Sequence, residues 1–278
     1  MNLSYKIAEE KDLEACCEVE KATTPKMLYI KDAWSHYMAT KGALVCVIDK
    51  DENDKIIGIG RMTVMPDNMG WLECLRIHPD YQGKGAGNII WNVWEKLAED
   101  MKLKGLSMFT GTKNIASNHL AEKHNVFTSG SHKPYTLSDF SGGNRHDFAP
   151  VNWERAEKLI LPKKDEYDNY ITLNRTFFRI NRENIRYFAD RGFVFEDKLT
   201  GDFAVIGSRF QHSEVLYLMM CGGNTENCVD FAKNLACALG VKQLCCILSE
   251  NNKNLPDELV KLGFEKAEIT YITKEGVY

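Results

Sequence analysis

The sequence predicts a mixed α/β fold that occurs twice in the chain, one domain over residues 1–143 and a second, related one over residues 144–278. Three observations carry this. Residues 71–87, WLECLRIHPDYQGKGAG, form a short apolar strand that runs into a glycine-rich turn and then into a long amphipathic helix. The order strand, turn, helix, glycine, strand, Asn-containing loop, helix occurs there and again from residue 214 to residue 264. Finally, 278 residues with 44% apolar and 27% charged side chains can bury two cores, in proportions usual for globular proteins.

Composition also excludes functions. A formal net charge of −4 gives no general attraction to nucleic acid or to an anionic membrane. No apolar run approaches the about 18 residues of a membrane span, and residues 1–6 lack the features of a secretion signal, so a cytoplasmic location is expected. The nine cysteines include the adjacent pairs Cys16-Cys17 and Cys245-Cys246 but no C-x-x-C, which predicts buried free thiols and no metal site.

Taken in order, residues 3–8 read as a first strand and Glu10-Lys11-Asp12-Leu13-Glu14 starts a helix. A second helical segment, 24–40, is rich in aromatic side chains. The runs 43–48 and 56–64 are strands joined by the polar hairpin tip 49–55. On the central strand 71–77, alternation puts Trp71, Glu73, Leu75 and Ile77 on one face and Leu72, Cys74, Arg76 and His78 on the other. Ile90, Val93, Leu97 and Met101 recur at spacings of three and four, so the next helix turns an apolar stripe to the sheet and stops at Gly105. A strand, 106–109, and a helix, 114–123, follow; residues 130–140 are expected to close the domain as a hairpin, with a connector near 141–150. In the second half, strands 214–221 and 241–248 and helices 225–239 and 255–262 repeat the pattern, but Cys221-Gly222-Gly223-Asn224 is too short to repeat the glycine turn. An unrelated α/β domain is the alternative reading of that half.

Gly83, Gly85 and Gly87 let the backbone turn sharply and point several N–H groups one way, and the helix that starts near Ala86 adds the positive end of its dipole, so the turn can hold a diphosphate without a metal. A dinucleotide fingerprint would need a third glycine where Asn88 or Ile90 stands, and no Walker-type G-x-x-x-x-G-K-[ST] is present. Gln82-Gly83-Lys84-Gly85-Ala86-Gly87 resembles the Q/R-x-x-G-x-G/A signature of the GCN5-related N-acetyltransferase (GNAT) superfamily. Leu75-Arg76-Ile77-His78-Pro79 resembles that family's L-x-V-x-P strand end. Residues 114–123, NIASNHLAEK, resemble its N-x-A-S-x-x-L-Y-E-K helix, with Ala121 where the family has tyrosine.

The resemblance implies a GNAT fold in the first half, a degenerate GNAT-like second half without a cofactor loop, and acetyl-CoA as co-substrate. It assigns cofactor contacts to Leu75, Arg76, Ile77, Gln82, Gly83, Lys84, Gly85, Ala86, Gly87, Asn114 and Ser117. A main-chain N–H near Leu75 or Arg76 would face the thioester carbonyl in a gap beside the central strand. It also places Tyr29, Trp34, His36, Tyr37 and Met38 at the acceptor wall, although packing on the sheet explains them equally. Asn114 equally fits a helix N-cap. Glu73 is the expected base, its pKa raised by apolar neighbours, unless it is exposed or paired; His132 and His124 are rivals. With tyrosine absent at 121, Tyr135 is the substitute proton donor, or the thiolate leaves unaided. The expected activity is N-acetylation of a small-molecule amine or free amino acid, a half without a cofactor loop closing one side of the acceptor cleft. An acyl-CoA-binding sensor and a protein N-terminal acetyltransferase are the alternatives. Acceptor and oligomeric state are not read from the sequence.

Overall fold

In the computed structural model, residues 1–210 and 214–278 are described. The chain forms two compact units. The first comprises Met1–Phe109, Asn114–Thr128 and Lys274–Tyr278; the second comprises Thr110–Lys113 and Ser129–Thr273. The expected break at 143/144 therefore differs from the observed grouping. Residues 129–143 pack with the second unit, while the last five residues return to the first.

The first unit starts with β1 (Leu3–Ile7), α1 (Leu13–Thr23), α2 (Ile30–Ala39), β2 (Gly42–Asp49) and β3 (Lys55–Val64). It continues with β4 (Gly70–Ile77), α3 (Ala86–Asp100), β5 (Gly105–Gly111) and α4 (Ile115–Lys123). Strands β1 to β4 pair antiparallel in chain order, and β5 adds parallel to β4. The crossover is α3, whose apolar stripe of Ile90, Trp91, Val93, Trp94 and Ala98 packs with Val45, Val47, Ile57, Met62 and Leu72. That stripe is what the three- and four-residue spacing encodes. The helix approaches β3 at Gly60, where an added Cβ would lie 2.5 Å from the Trp94 ring.

The second unit contains β6 (Phe127–Ser138) from Ser129 onward, β7 (Phe148–Pro150), α5 (Trp153–Ile160), β8 (Tyr170–Leu173), β9 (Thr176–Arg179) and α6 (Arg182–Asp190). Then come β10 (Val194–Asp197), β11 (Phe203–Gly207), β12 (Val215–Gly222), α7 (Thr225–Leu239), β13 (Gln243–Ser249), α8 (Leu255–Lys261), β14 (Glu265–Lys266) and β15 (Tyr271–Val277), whose last residues belong to the first unit. Residues 130–140 do not make the expected hairpin. Residues 130–138 lie on one long strand, β6, that pairs antiparallel with β13 from Ser138↔Gln243 to His132↔Ser249. Along the stretch paired with the apolar β13, His132, Pro134, Tyr135 and Leu137 are buried.

The two units repeat each other in register. β4 pairs parallel with β5 over three residues, Gly70 to Leu72, and β12 with β13 over three, Val215 to Tyr217. Each central strand then carries a bulge: Cys74 and Leu75 together face Gly60, and Met219 has no partner between Val205↔Met220 and Ile206↔Leu218.

Candidate active site

The candidate site of the first unit lies where β4 parts from β5. After Leu72↔Met108 the ladder between them stops, although β4 continues to Ile77. At Cys74 the backbone turns left-handed (φ +61°), a conformation few non-glycine residues adopt. The bulge overturns the simple alternation expected for β4. Leu75 and Ile77 pack with Leu72 against the α3 cluster, while Glu73, Cys74 and Arg76 face α1 and α2. Glu73 therefore does not sit between Leu75 and Ile77. It is half-buried, and its Oε1 accepts from Thr63 Oγ1 at 3.1 Å. Thr63 in turn accepts from Arg61 Nε at 3.2 Å.

On that face the Arg76 side chain is tied to α1 and the residue that follows it. Its guanidinium lies 3.2 Å from Glu20 Oε1, and it donates to Thr24 Oγ1 at 2.9 Å. Glu20 also accepts from the main-chain N–H groups of Tyr29 and Ile30, so one buried carboxylate starts α2 and neutralises Arg76. Tyr29 and Tyr37 turn their hydroxyls to Cys74, and Trp34 donates to Glu10. These aromatic residues are packed on the sheet, and only Tyr29 of the three keeps appreciable exposure.

Beyond β4 the turn is shaped as its glycines require. Gly83 (φ +72°) and Gly85 (φ +89°) are left-handed, and a Cβ at either would meet open space, so both are selected by backbone conformation. Gln82 Nε2 bonds the Ile77 carbonyl at 3.0 Å and braces the turn. Lys84 lies over the Tyr81 ring, whose hydroxyl donates to Glu52. Ala86 begins α3, and Gly87 allows α4 to approach, since a Cβ there would lie 3.1 Å from Leu120. No side chain caps α3, and no acidic residue stands in its first turn. The first N–H groups of the helix are thus left for an external acceptor.

The corresponding place in the second unit is filled from within. Asp202 Oδ1 accepts from Asn224 N at 2.8 Å, and Oδ2 accepts from Asn227 Nδ2 and Thr200 Oγ1, both at 2.8 Å. Asn224 caps α7, with Glu226 in its first turn. Tyr167 Oη sits on the β12 backbone beyond the bulge, accepting from Cys221 N at 3.0 Å.

The remaining expected residues lie on other elements. Asn114 caps α4 through Ser117 N at 3.2 Å, as the N-cap reading holds, and Ser117 contributes that N–H. Ala121 is wholly buried in the α3 cluster, so residue 121 carries no hydroxyl and opens to the core. Tyr135 belongs to the second unit, 3% exposed on β6, and burial raises its pKa, which makes it a poorer acid than an ordinary phenol. The two histidines are structural: His124 stacks on Trp91 and pairs with Glu95, and His132 is buried beside Phe177 in the second unit. The bulge at Cys74 and the Glu20–Arg76 pair escaped sequence reading, for which only an isolated Glu–Arg covariation or a glycine at 74 would have been a signal. Among the described residues no group of three or more His, Cys, Asp or Glu is arranged to hold a metal ion, and no helix is long and apolar enough to cross a membrane.

Residues 9–126 match the family model described as acetyltransferase (GNAT) family. This segment is a GNAT acetyltransferase domain. Solved structures extend the likeness to the whole chain. A GCN5-related N-acetyltransferase from Sphaerobacter thermophilus, 10% identical, superposes with a TM-score of 0.66 over 99% of this chain and 95% of its own. An acetyltransferase from Pyrococcus horikoshii, 13% identical, gives 0.68 over 100% and 90%. A tandem GNAT protein from the clavulanic acid biosynthesis pathway, 11% identical, gives 0.63 over 99% and 98%. These likenesses establish the fold: a GNAT domain followed by a second GNAT-like α/β domain. None of the curated proteins compared matches the sequence.

Proposed function

We propose that the chain transfers the acetyl group of acetyl-CoA to the primary amine of a small molecule or free amino acid by direct attack on the thioester. The observation that carries this reading is the contrast between the two helix starts. At α3 two left-handed glycines and an uncapped first turn offer main-chain donors to a diphosphate; at α7 the Asp202 carboxylate already occupies the equivalent place. One chain would therefore hold one CoA, and the second unit would have a structural role.

When bound, acetyl-CoA supplies an acyl carbon activated by a thiol whose pKa, near the about 8.5 of cysteine, lets it depart as thiolate. The chain supplies the rest. The bulge takes Cys74 and Leu75 out of register with β3 beside the gap, and N–H donors fixed in direction at Leu75 or Arg76 are worth about 3–4 kcal/mol against developing charge. Glu73, oriented by Thr63, takes the proton from the amine. Phe109 follows Met108, the last residue of β5 paired with β4, and stacks on Trp71, so an aromatic ring stands where the two strands part. A recessed carboxylate beside an aromatic wall favours an acceptor with one unhindered amine. The surroundings of Tyr135 do not support it as proton donor. All nine cysteines are free thiols, which suits the reducing cytoplasm in which we place the protein.

The test is to incubate the purified protein with acetyl-CoA and a pool of amines and to follow free thiol. Acceptor-dependent release supports the transferase. The apolar burial of Ala121 favours a second reading, an acyl-CoA-binding module, and tight CoA binding with no thiol release by any amine would establish that instead.

A further inference from the structure

Under the β4 bulge a sulfur atom lies between two phenols. Cys74 Sγ is 3.1 Å from Tyr29 Oη and 3.2 Å from Tyr37 Oη. We propose that Tyr29 and Tyr37 are positioning residues that act through Cys74 Sγ to hold residue 74 in its left-handed conformation and thereby aim the backbone donors at Leu75 and Arg76.

Left-handed backbone is disfavoured for any residue with a Cβ, and cysteine lacks the short amide or carboxylate with which Asn and Asp ease it locally. Such a conformation persists where surrounding structure over-determines it. Here the ladder is in register on both sides, Arg61↔Glu73 before the bulge and Ile59↔Arg76 after it, so the distortion is confined to Cys74 and Leu75. Both phenols are themselves anchored to β3 or β4. Arg76, two residues past the bulge, reaches Tyr29 Oη at 3.4 Å and stacks its guanidinium over the ring at 4.7 Å. Arg61 lies over the Tyr37 ring at 5.5 Å. The clamp thus grips Cys74 from helix α2 and its start, and is tied back to the strands on either side of the bulge. Cys74 is 7% exposed, and burial raises its pKa, with Arg76 opposing; it remains a thiol and is placed to be held, not to attack.

This inference rests on the acetyl-transfer reading for its consequence but not for its test. Three variants are compared with the wild type: Tyr29→Phe/Tyr37→Phe, Cys74→Ala and Cys74→Gly, each checked for folding by its CoA affinity. The readouts are the crystallographic φ at residue 74, the exchange rate of the Leu75 amide, and kcat. In Cys74→Ala and the double tyrosine variant we expect φ to leave the left-handed region or Leu75 exchange to quicken about tenfold or more. We expect kcat to fall at least about tenfold there while CoA Kd stays within about twofold. Cys74→Gly, which tolerates the conformation without the sulfur, should keep kcat well above that of Cys74→Ala. Unchanged φ and exchange in both clamp variants would overturn the proposal. So would a Cys74→Gly variant as inactive as Cys74→Ala, the result expected if the thiol itself reacted. Should the wild type transfer no acetyl group, the functional reading falls, and φ with amide exchange still decides the clamp.

Discussion

Thr63 Oγ1 lies 3.1 Å from Glu73 Oε1, and the same hydroxyl oxygen is 3.2 Å from Arg61 Nε. Arg61 can only donate, so the threonine oxygen accepts from it and gives its own hydrogen to the carboxylate. One oxygen of Glu73 is thereby fixed in direction. The first prediction follows: Glu73→Gln lowers kcat by about 10²-fold or more with CoA affinity unchanged. Thr63→Val, which keeps the shape and removes the hydroxyl, lowers it less. Steady-state rates across pH measure both, and a Glu73→Gln enzyme with wild-type turnover throughout would remove the carboxylate from the chemistry.

The turn before α3 makes a second prediction. A Cβ at Gly85 would meet no atom, so the cost of Gly85→Ala is conformational alone, about 1–2 kcal/mol for a residue forced left-handed. Gly85→Asp adds a negative charge beside the diphosphate. Calorimetric titration with CoA should show Kd raised several-fold for alanine and more than about tenfold for aspartate. Equal affinities in the two variants would mean that the diphosphate sits elsewhere.

How much of this was legible beforehand depends on the range of the interaction. The glycine turn and the α3 stripe are local signals, because φ > 0 selects glycine and helix burial selects a spacing; both appear in the structure, although α3 stops at Asp100, and Gly105, the expected helix end, instead opens β5. Strict alternation gives the wrong faces of β4 beyond Leu72, because it assumes an unbroken ladder and the bulge falls on a cysteine, which carries no turn signal. Glu20 and Arg76 lie far apart in sequence, and only tertiary packing on the sheet pairs them. The long strand β6 reads as a hairpin because its partner, β13, lies about a hundred residues later, and sequence pattern alone does not name a partner at that range.

Asp202 gives a third prediction. Burial raises its pKa, but hydrogen bonds from Asn224, Asn227 and Thr200 outweigh this and leave it below the usual carboxylate range. A group whose folded pKa is lowered stabilises the fold above its unfolded pKa, and that stability is lost as pH falls through the folded value. Asp202→Asn should therefore lower the melting temperature at neutral pH and lower it less below about pH 4. The same variant should leave CoA stoichiometry at one per chain, since Glu226 and the Asn224 cap still close α7. A second equivalent of CoA bound by the wild type would contradict the filled-site assignment.

His132 makes the last prediction. It is 1% exposed, its Nε2 is 3.3 Å from Thr273 Oγ1, and its ring packs on Phe177 at 4.6 Å. Burial pulls its pKa down to about 4, against smaller opposing effects of Asp168 and Glu250. The unfolded chain binds this proton near pH 6.5 and the folded chain only near 4, so the folded state loses stability as pH falls between the two. At about 1.4 kcal/mol per pKa unit the full loss is about 3 kcal/mol. His132→Gln retains a polar partner for Thr273 and cannot take the proton. Its stability should fall less steeply than that of the wild type from pH 6.5 to 4, measured by urea denaturation at matched pH. Parallel slopes would show that the imidazole is reached by water and protonates in the folded protein.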